Sequence, residues 1–289
     1  MNEASQWRFA LAQQLAKAYA ANPKAQVIMA AGSTGRGSAD RYSDLEIDVY
    51  WSAPPADAER RAAVAGGGGI LLSLFDYEED EWAEEISIGG FHIGTSTFLV
   101  ETMESYLTIV LDEYSTAPLP QMRLYSLQHA IPLVGTELVE RWRTRAAAYP
   151  TALAHAMLRE NLVFEGFGYA EEMLGARDDM LALADIFCRV ERQVLGALLG
   201  LNRLYLPNPT YKGMDELIAE MRLVPPDLSP RLKHAFRLPP LEGVQLLHNV
   251  IADLFALIET HVPEFDTRPY REKVRQRRGV WDQPPAASS

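Results

Sequence analysis

The spacing of apolar residues changes character along the chain. Glu3 to Ala21 places Phe9, Leu11, Leu15, Ala16 and Tyr19 near helical intervals and stops at Asn22-Pro23, which predicts a helix. Val27 to Ala31 is an apolar run that reads as a strand entering Gly32-Ser33, and Asp44 to Trp51 reads as a second strand, alternating acid and apolar from Asp44 to Val49. A short helix over Ala56 to Ala65 closes on Gly66 to Gly69. Ile70 to Phe75 reads as a strand, and the acidic run Asp76 to Glu81 as a solvated loop. Glu84 to Val100 alternates imperfectly across Gly89-Gly90, as one long bent strand or a hairpin. Glu101 to Tyr114 carries a helical stripe of Met103, Leu107, Val110 and Leu111. Arg123 to Leu127 reads as a short edge element, and His129 to Gly135 as a final loop.

From Thr136 onward the period is helical. Thr136 and Thr151 are expected N-caps, of a helix reaching Tyr149 and of a long helix reaching Leu174. Further helices are expected at about Asp179 to Leu201, Met214 to Arg222 and Leu241 to Val262. The pattern is α+β: a mixed α/β half over residues 1–135, an antiparallel helical bundle over 136–267, and a basic segment with a disordered tail over 268–289.

Charge narrows the partners. The formal net charge is -12, from 39 acids and 27 bases, which opposes general binding to nucleic acid. Arg268 to Arg278 is the exception, with six bases in eleven residues, but little aromatic interleaving accompanies it. The single cysteine, Cys188, cannot form an internal disulfide and reads as a structural thiol in an apolar run. The N-terminus lacks the layout of a signal peptide, and no long apolar run suggests a membrane span. A cytoplasmic protein is the expectation.

The chemistry is concentrated between Val27 and Trp51. Strand alternation sends Asp44, Glu46 and Asp48 to one face and Leu45, Ile47 and Val49 to the other. A row of carboxylates on a strand calls for a cation, and Mg²⁺ holding substrate phosphates fits oxygen ligands of this kind. The preceding Gly-Ser loop can offer a hydroxyl and backbone N–H groups to a phosphate. P-loop and Rossmann readings fail, because Gly32, Gly35 and Gly37 have neither the GK[ST] ending nor the G-x-G-x-x-G spacing.

Gly32-Ser33, a spacer of about ten residues, then Asp44-Leu45-Glu46 resembles the signature of the polymerase-beta-type nucleotidyltransferase superfamily. Within it, the run from Gly32 to Trp51, with Arg36, Tyr42 and Ser43, looks most like the antibiotic (kanamycin-type) nucleotidyltransferases. The resemblance implies a small mixed sheet flanked by helices, then a helical domain. It implies Mg²⁺-dependent transfer of a nucleoside monophosphate, with ATP as first choice of donor, to a hydroxyl of a small molecule such as an aminoglycoside or lincosamide. Asp44, Glu46 and Asp48 would hold the metal, and Gly32, Ser33 and Arg36 the phosphates. The acceptor would sit between the two domains, and a homodimer is compatible with the pattern. The superfamily often carries a third carboxylate on a following strand. His92, Gly94 and Ser96 stand nearest and are not acidic, while Glu84, Glu85 and Glu101 have no assignable register.

In the helical half, Glu165 lies between Phe164 and Phe167, where apolar surroundings would raise a carboxyl towards the range of a general base. Its phrase resembles the one carrying the base in the kanamycin-type enzymes, though a second register puts Gly168 there. Glu160 and Asp185 are the alternatives, and Arg189 would pair with Asp185. His155 reads as a partly exposed helix residue. Lys212 follows an Asn-Arg-x-Tyr-x-Pro phrase that resembles relatives in which a lysine approaches the triphosphate. Two other readings stay open: a toxin-like nucleotidyltransferase acting on tRNA or protein, and a nucleotide-binding protein without catalysis.

Overall fold

The computed structural model describes residues 1–164 and 166–279. The chain divides into two compact units, Met1–Tyr149 and Pro150 onward.

The first unit runs α1 (Glu3–Tyr19), β1 (Ala25–Ala30), α2 (Gly32–Gly35), β2 (Leu45–Trp51), α3 (Asp57–Gly66), β3 (Ile70–Glu78), β4 (Glu81–Ile88), β5 (Phe91–Leu99), α4 (Val100–Leu111), α5 (Pro118–His129), β6 (Ile131–Val134) and α6 (Thr136–Ala147). The six strands form one sheet in the order β3-β4-β5-β2-β1-β6. Only β2 and β5 pair in parallel; the other neighbours are antiparallel. The fold class is therefore α+β, with a mixed sheet flanked by helices.

One sheet face is the main apolar core. Leu45, Ile47, Val49 and Trp51 of β2, with Ile28, Ile86 and Ile93, pack against Leu15, Ala16 and Tyr19 of α1 and Ala63 and Val64 of α3. This core holds one charged network. Arg60 and Glu84, both fully buried, form an ion pair, and Arg60 also donates to the carbonyls of Phe75 and Ala83. Tyr19, Thr95 and Thr97 donate to Glu84 Oε2. The two buried charges compensate one another, and Arg60 Nη1 lies 3.6 Å from Asp57 without a hydrogen bond.

The opposite face carries Asp48 and Tyr50. Tyr50 stacks on Phe98 at 5.2 Å and meets Trp142 of α6 at the same distance. This packing explains why the compact unit runs on to Tyr149 and does not end at Gly135 as expected. Helix α6 packs on β1, β6, α4 and α5, so it belongs with the sheet.

Other expectations also change. Arg123 to Leu127 lies inside helix α5, which Pro118 opens at its first position, where a missing N–H costs nothing. The expected loop before Gly135 contains strand β6, paired with β1. The N-caps are Gly135 and Pro150, and the threonines that follow are the first helical residues. Gly135 has φ +73°, and a β-carbon there would lie 2.2 Å from the Gln26 carbonyl, so the close approach to β1 decides the residue. The acidic run is a two-residue hairpin, with Glu79 and Asp80 left-handed between the paired Glu78 and Glu81. Glu84 to Val100 proves to be the hairpin β4–β5, turning at the left-handed Gly89 and Gly90.

The second unit is helical: α7 (Thr151–Asn161), α8 (Ala170–Met173), α9 (Met180–Asn202), α10 (Met214–Glu220), α11 (Leu228–Ala235), α12 (Pro240–His261) and α13 (Arg268–Arg275), with short 3-10 turns at Phe167–Tyr169 and Gly175–Arg177. Helix α9 packs on α7 and α12, and α12 on α11. By length and composition α12 could cross a membrane, but Val244, Leu247, Ile251 and Leu254 are buried within this unit. The long helix expected to reach Leu174 ends at Asn161, because Phe164 and Gly166 are both left-handed, at φ 40° and 76°.

Candidate functional site

The loop between β1 and β2 is stitched to β2 at its start, where Ala31 N donates to Glu46 O at 2.9 Å. Gly32 follows with φ +56°. A β-carbon at Gly32 would lie 1.8 Å from Glu46 Oε2 and 2.6 Å from its carboxyl carbon. The Glu46 carboxylate therefore rests directly on the Gly32 backbone. Gly35 is equally constrained, since a β-carbon there would meet the carbonyls of Ala30 at 2.7 Å and His129 at 3.0 Å. Ser33 is half-buried and Arg36 exposed. The Thr34 hydroxyl is buried without a hydrogen-bond partner.

Helix α1 holds the rest of the loop. Asn2 caps α1 by accepting from Ser5 N at 2.8 Å, and its amide donates to Ala39 O at 2.9 Å. Ser5 Oγ accepts from Ala39 N at 3.0 Å. Arg8, only 2% exposed, donates to the carbonyls of Ala4 (2.8 Å), Asp40 (2.7 Å) and Ser43 (2.6 Å). Its guanidinium also lies over the Trp7 ring, 4.1 Å from the centroid. Asp40 accepts from Tyr42 N and the Ser43 hydroxyl, and these bonds hold its carboxyl below the usual range. The turn so fixed leads straight into Asp44, which is exposed, as is Glu46 two residues on.

Asp48 is different. It is 3% exposed and accepts from Ser126 Oγ of α5 at 2.8 Å. Burial raises its pKa; the charge of Arg123 and the Ser126 bond act in the opposite direction. Arg123 pairs with Glu81 and lies over the Phe98 ring at 4.4 Å. Among the described residues no three His, Cys, Asp or Glu side chains gather into a metal cluster. The expected row of three carboxylates is thus an exposed pair, Asp44 and Glu46, above a buried acid bonded to α5.

The strand register places two of the acids that the sequence left unplaced, while Glu101 lies in the first turn of α4. Glu46 pairs with Gly94 of β5, and Gly94 with Glu85 of β4. Directly paired residues share a sheet face, so Glu85, half-buried, stands in line with Glu46. Glu84 lies on the opposite face, in the core network.

The remaining candidates fall in the second unit. Lys212 is exposed in a turn closed by Asn208, whose side chain accepts from Lys212 N at 2.9 Å. Glu165 lies outside the described residues. Glu160 is exposed on α7. Asp185 forms a surface pair with Arg189 at 3.1 Å, its side chain 69% exposed. His155 is half-buried and faces Glu264 at 3.4 Å. Arg8 was missed as a site residue, although it had a signal, an arginine within the apolar stripe of α1. Glu85 was weighed as a third carboxylate but could not be placed before the register was known.

No family model matches the chain, and no curated protein matches it. Among solved structures, a nucleotidyltransferase-like protein from Exiguobacterium sibiricum 255-15 overlaps it at a TM-score of 0.38 with 12% identity, covering 91% of this chain and 78% of that one.

Proposed function

We propose that this chain is a nucleotidyltransferase that moves a nucleoside monophosphate, AMP from ATP in the first instance, to a hydroxyl of a small molecule. The observation that carries this reading is the placement of Glu46 on Gly32. It brings the acid-apolar-acid strand and the Gly-Ser loop into one exposed site, as a group binding both metal and phosphate requires. Two exposed carboxylates suit Mg²⁺, which takes one or two protein carboxylates and completes its shell with phosphate and water. When bound, the metal would neutralise phosphate charge and favour in-line displacement.

The chain's own residues would do the rest. Asp44 and Glu46 hold the metal, and Ser33 donates to a phosphate oxygen. Arg36, exposed at the end of the same turn, supplies a cation for the outer phosphates. Asp48 supports the strand from below and ligates nothing. Glu165 is the proposed base for the acceptor hydroxyl, and Lys212 a proposed contact to the triphosphate. An aminoglycoside or lincosamide is the proposed acceptor class, with inactivation of the antibiotic as the consequence.

Modification of tRNA or protein is the weaker reading. Three of the six C-terminal bases that would form a basic arm have partners within their own unit: Arg268 with Asp266, Arg271 with Glu259, and Arg277 with the Gly168 carbonyl.

Calorimetric titration of ATP with Mg²⁺ into the wild type, Asp44→Asn and Glu46→Gln tests the proposal. Mg²⁺-dependent binding by the wild type, lost in both variants, is expected. Absence of binding across ATP, GTP, CTP and UTP would overturn it.

A further inference from the structure

The sheet has two outer strands, and they differ in kind. β6 is four residues long, contains Pro132 and is half-buried throughout. Short length and proline are common guards against stray pairing at a sheet edge. β3 has neither. It runs nine residues without a proline or a lysine, and among the described residues it pairs with β4 alone. Along it Ile70, Leu72, Phe75 and Tyr77 are 69%, 54%, 47% and 49% exposed. An apolar edge of this length is a template for another strand.

The register on β4 shows which strand fits. Ile70 pairs with Ser87 and Phe75 with Ala83, so both lie on one sheet face. Leu71 and Leu74 pair with Ile86 and Glu84, and share the other face. In a regular strand Ile70 and Phe75 would point to opposite faces; the irregularity between Leu71 and Ser73 brings them to the same one. Antiparallel pairing about a two-fold axis sets residues of one face side by side. For β3 against itself, an axis between Leu72 and Ser73 does this, placing Ile70 beside Phe75 of the other copy and Leu71 beside Leu74. Charge agrees. The acids gather at the far end, in Asp76, Glu78, Glu79 and Asp80. The same axis separates the two acidic ends and sets each beside Gly66 to Gly68 of the other copy. Gln14 and Ala18 of α1 line those glycines, and the exposed Lys17 shares their helix face. An edge of nine residues is about 30 Å long, and two such edges with their side chains bury on the order of 1,000 Å², where specific interfaces begin. We infer that β3 pairs antiparallel with β3 of a second copy of this chain, joining two six-stranded sheets edge to edge. This holds whatever reaction the site performs.

Sedimentation equilibrium of the full chain, from about 1 to about 100 µM, tests it. The wild type should dimerise with a Kd on the order of 10 µM. Leu72→Lys brings like charges together at the axis and should stay monomeric with the wild-type circular dichroism spectrum. Ile70→Asp, which faces the other copy's acidic end, should act alike and stands in if Leu72→Lys does not fold. Lys17→Glu should weaken the dimer about fivefold, and adding Glu78→Lys should restore it. A wild type still monomeric at about 100 µM overturns the inference. So does a dimer that survives both Leu72→Lys and Ile70→Asp, which would place the contact on another surface.

Discussion

Glu46 and Gly32, fourteen residues apart in the chain, occupy one another's space: the carboxylate of the first fills the position where a side chain of the second would begin. Gly32→Ala should therefore displace Glu46 as well as strain the loop. The left-handed backbone alone costs an alanine about 1 kcal/mol. Expected are a lowered melting temperature and loss of Mg²⁺-dependent ATP binding at least as severe as in Glu46→Gln. Normal binding by Gly32→Ala would show that Glu46 need not lie where it does.

Arg8 ties α1 to the turn that presents Asp44. Removing it takes the guanidinium donor from the carbonyls of Ala4, Asp40 and Ser43, of which Asp40 keeps its bond from Ser43 N. Hydrogen bonds from a charged group are worth about 1.5–3 kcal/mol each, so Arg8→Met should destabilise the chain by at least about 2 kcal/mol in urea unfolding. Nucleotide binding should weaken as well, because Asp44 loses its fixed approach. A stable Arg8→Met chain with intact binding would refute the positioning role.

Asp48 makes the sharpest pH prediction. Its folded pKa is raised by burial above the unfolded value. The stability linked to its protonated form is present below the unfolded pKa and is lost as pH rises through the folded one. Asp48→Asn can still accept from Ser126 and stays neutral. It should gain stability relative to wild type as pH rises through the acid range, and should keep Mg²⁺-dependent ATP binding. Loss of binding equal to that of Asp44→Asn would make Asp48 a ligand after all.

His248 gives a second pH signature, in the helical unit. Burial is the main reason its pKa falls to about 4, with the nearby charge of Arg277 adding to it. Phe167 lies beside its ring at 4.5 Å. The depressed value means that stability is full above the unfolded pKa near 6.5 and is lost as pH falls towards about 4. His248→Phe should flatten this part of the stability–pH curve, measured by urea unfolding at several pH values. An unchanged curve would place the acid sensitivity elsewhere.

Much of this protein was legible from the chain alone. The alternation of Asp44 to Trp51 announced a strand with acids on one side, and the helical period after Thr136 announced a helical half. Periodicity reports which residues share a face, and that is a local property. What it cannot report is which strands become neighbours. Pairing of β2 with β5 is a long-range choice made by burial of Leu45 and Ile93 in one core row, and β4 joins them through the local hairpin at Gly89-Gly90. That choice alone put Glu85 in line with Glu46 and sent Glu84 into the core. Likewise, alternation grouped Asp48 with Asp44 and Glu46, but the packing of α5 over the sheet centre buried it under Ser126. The sequence by itself determined the element types and the acid-bearing strand; tertiary structure decided which acids remain open to a ligand, because exposure depends on what packs above a residue and not on its neighbours in the chain.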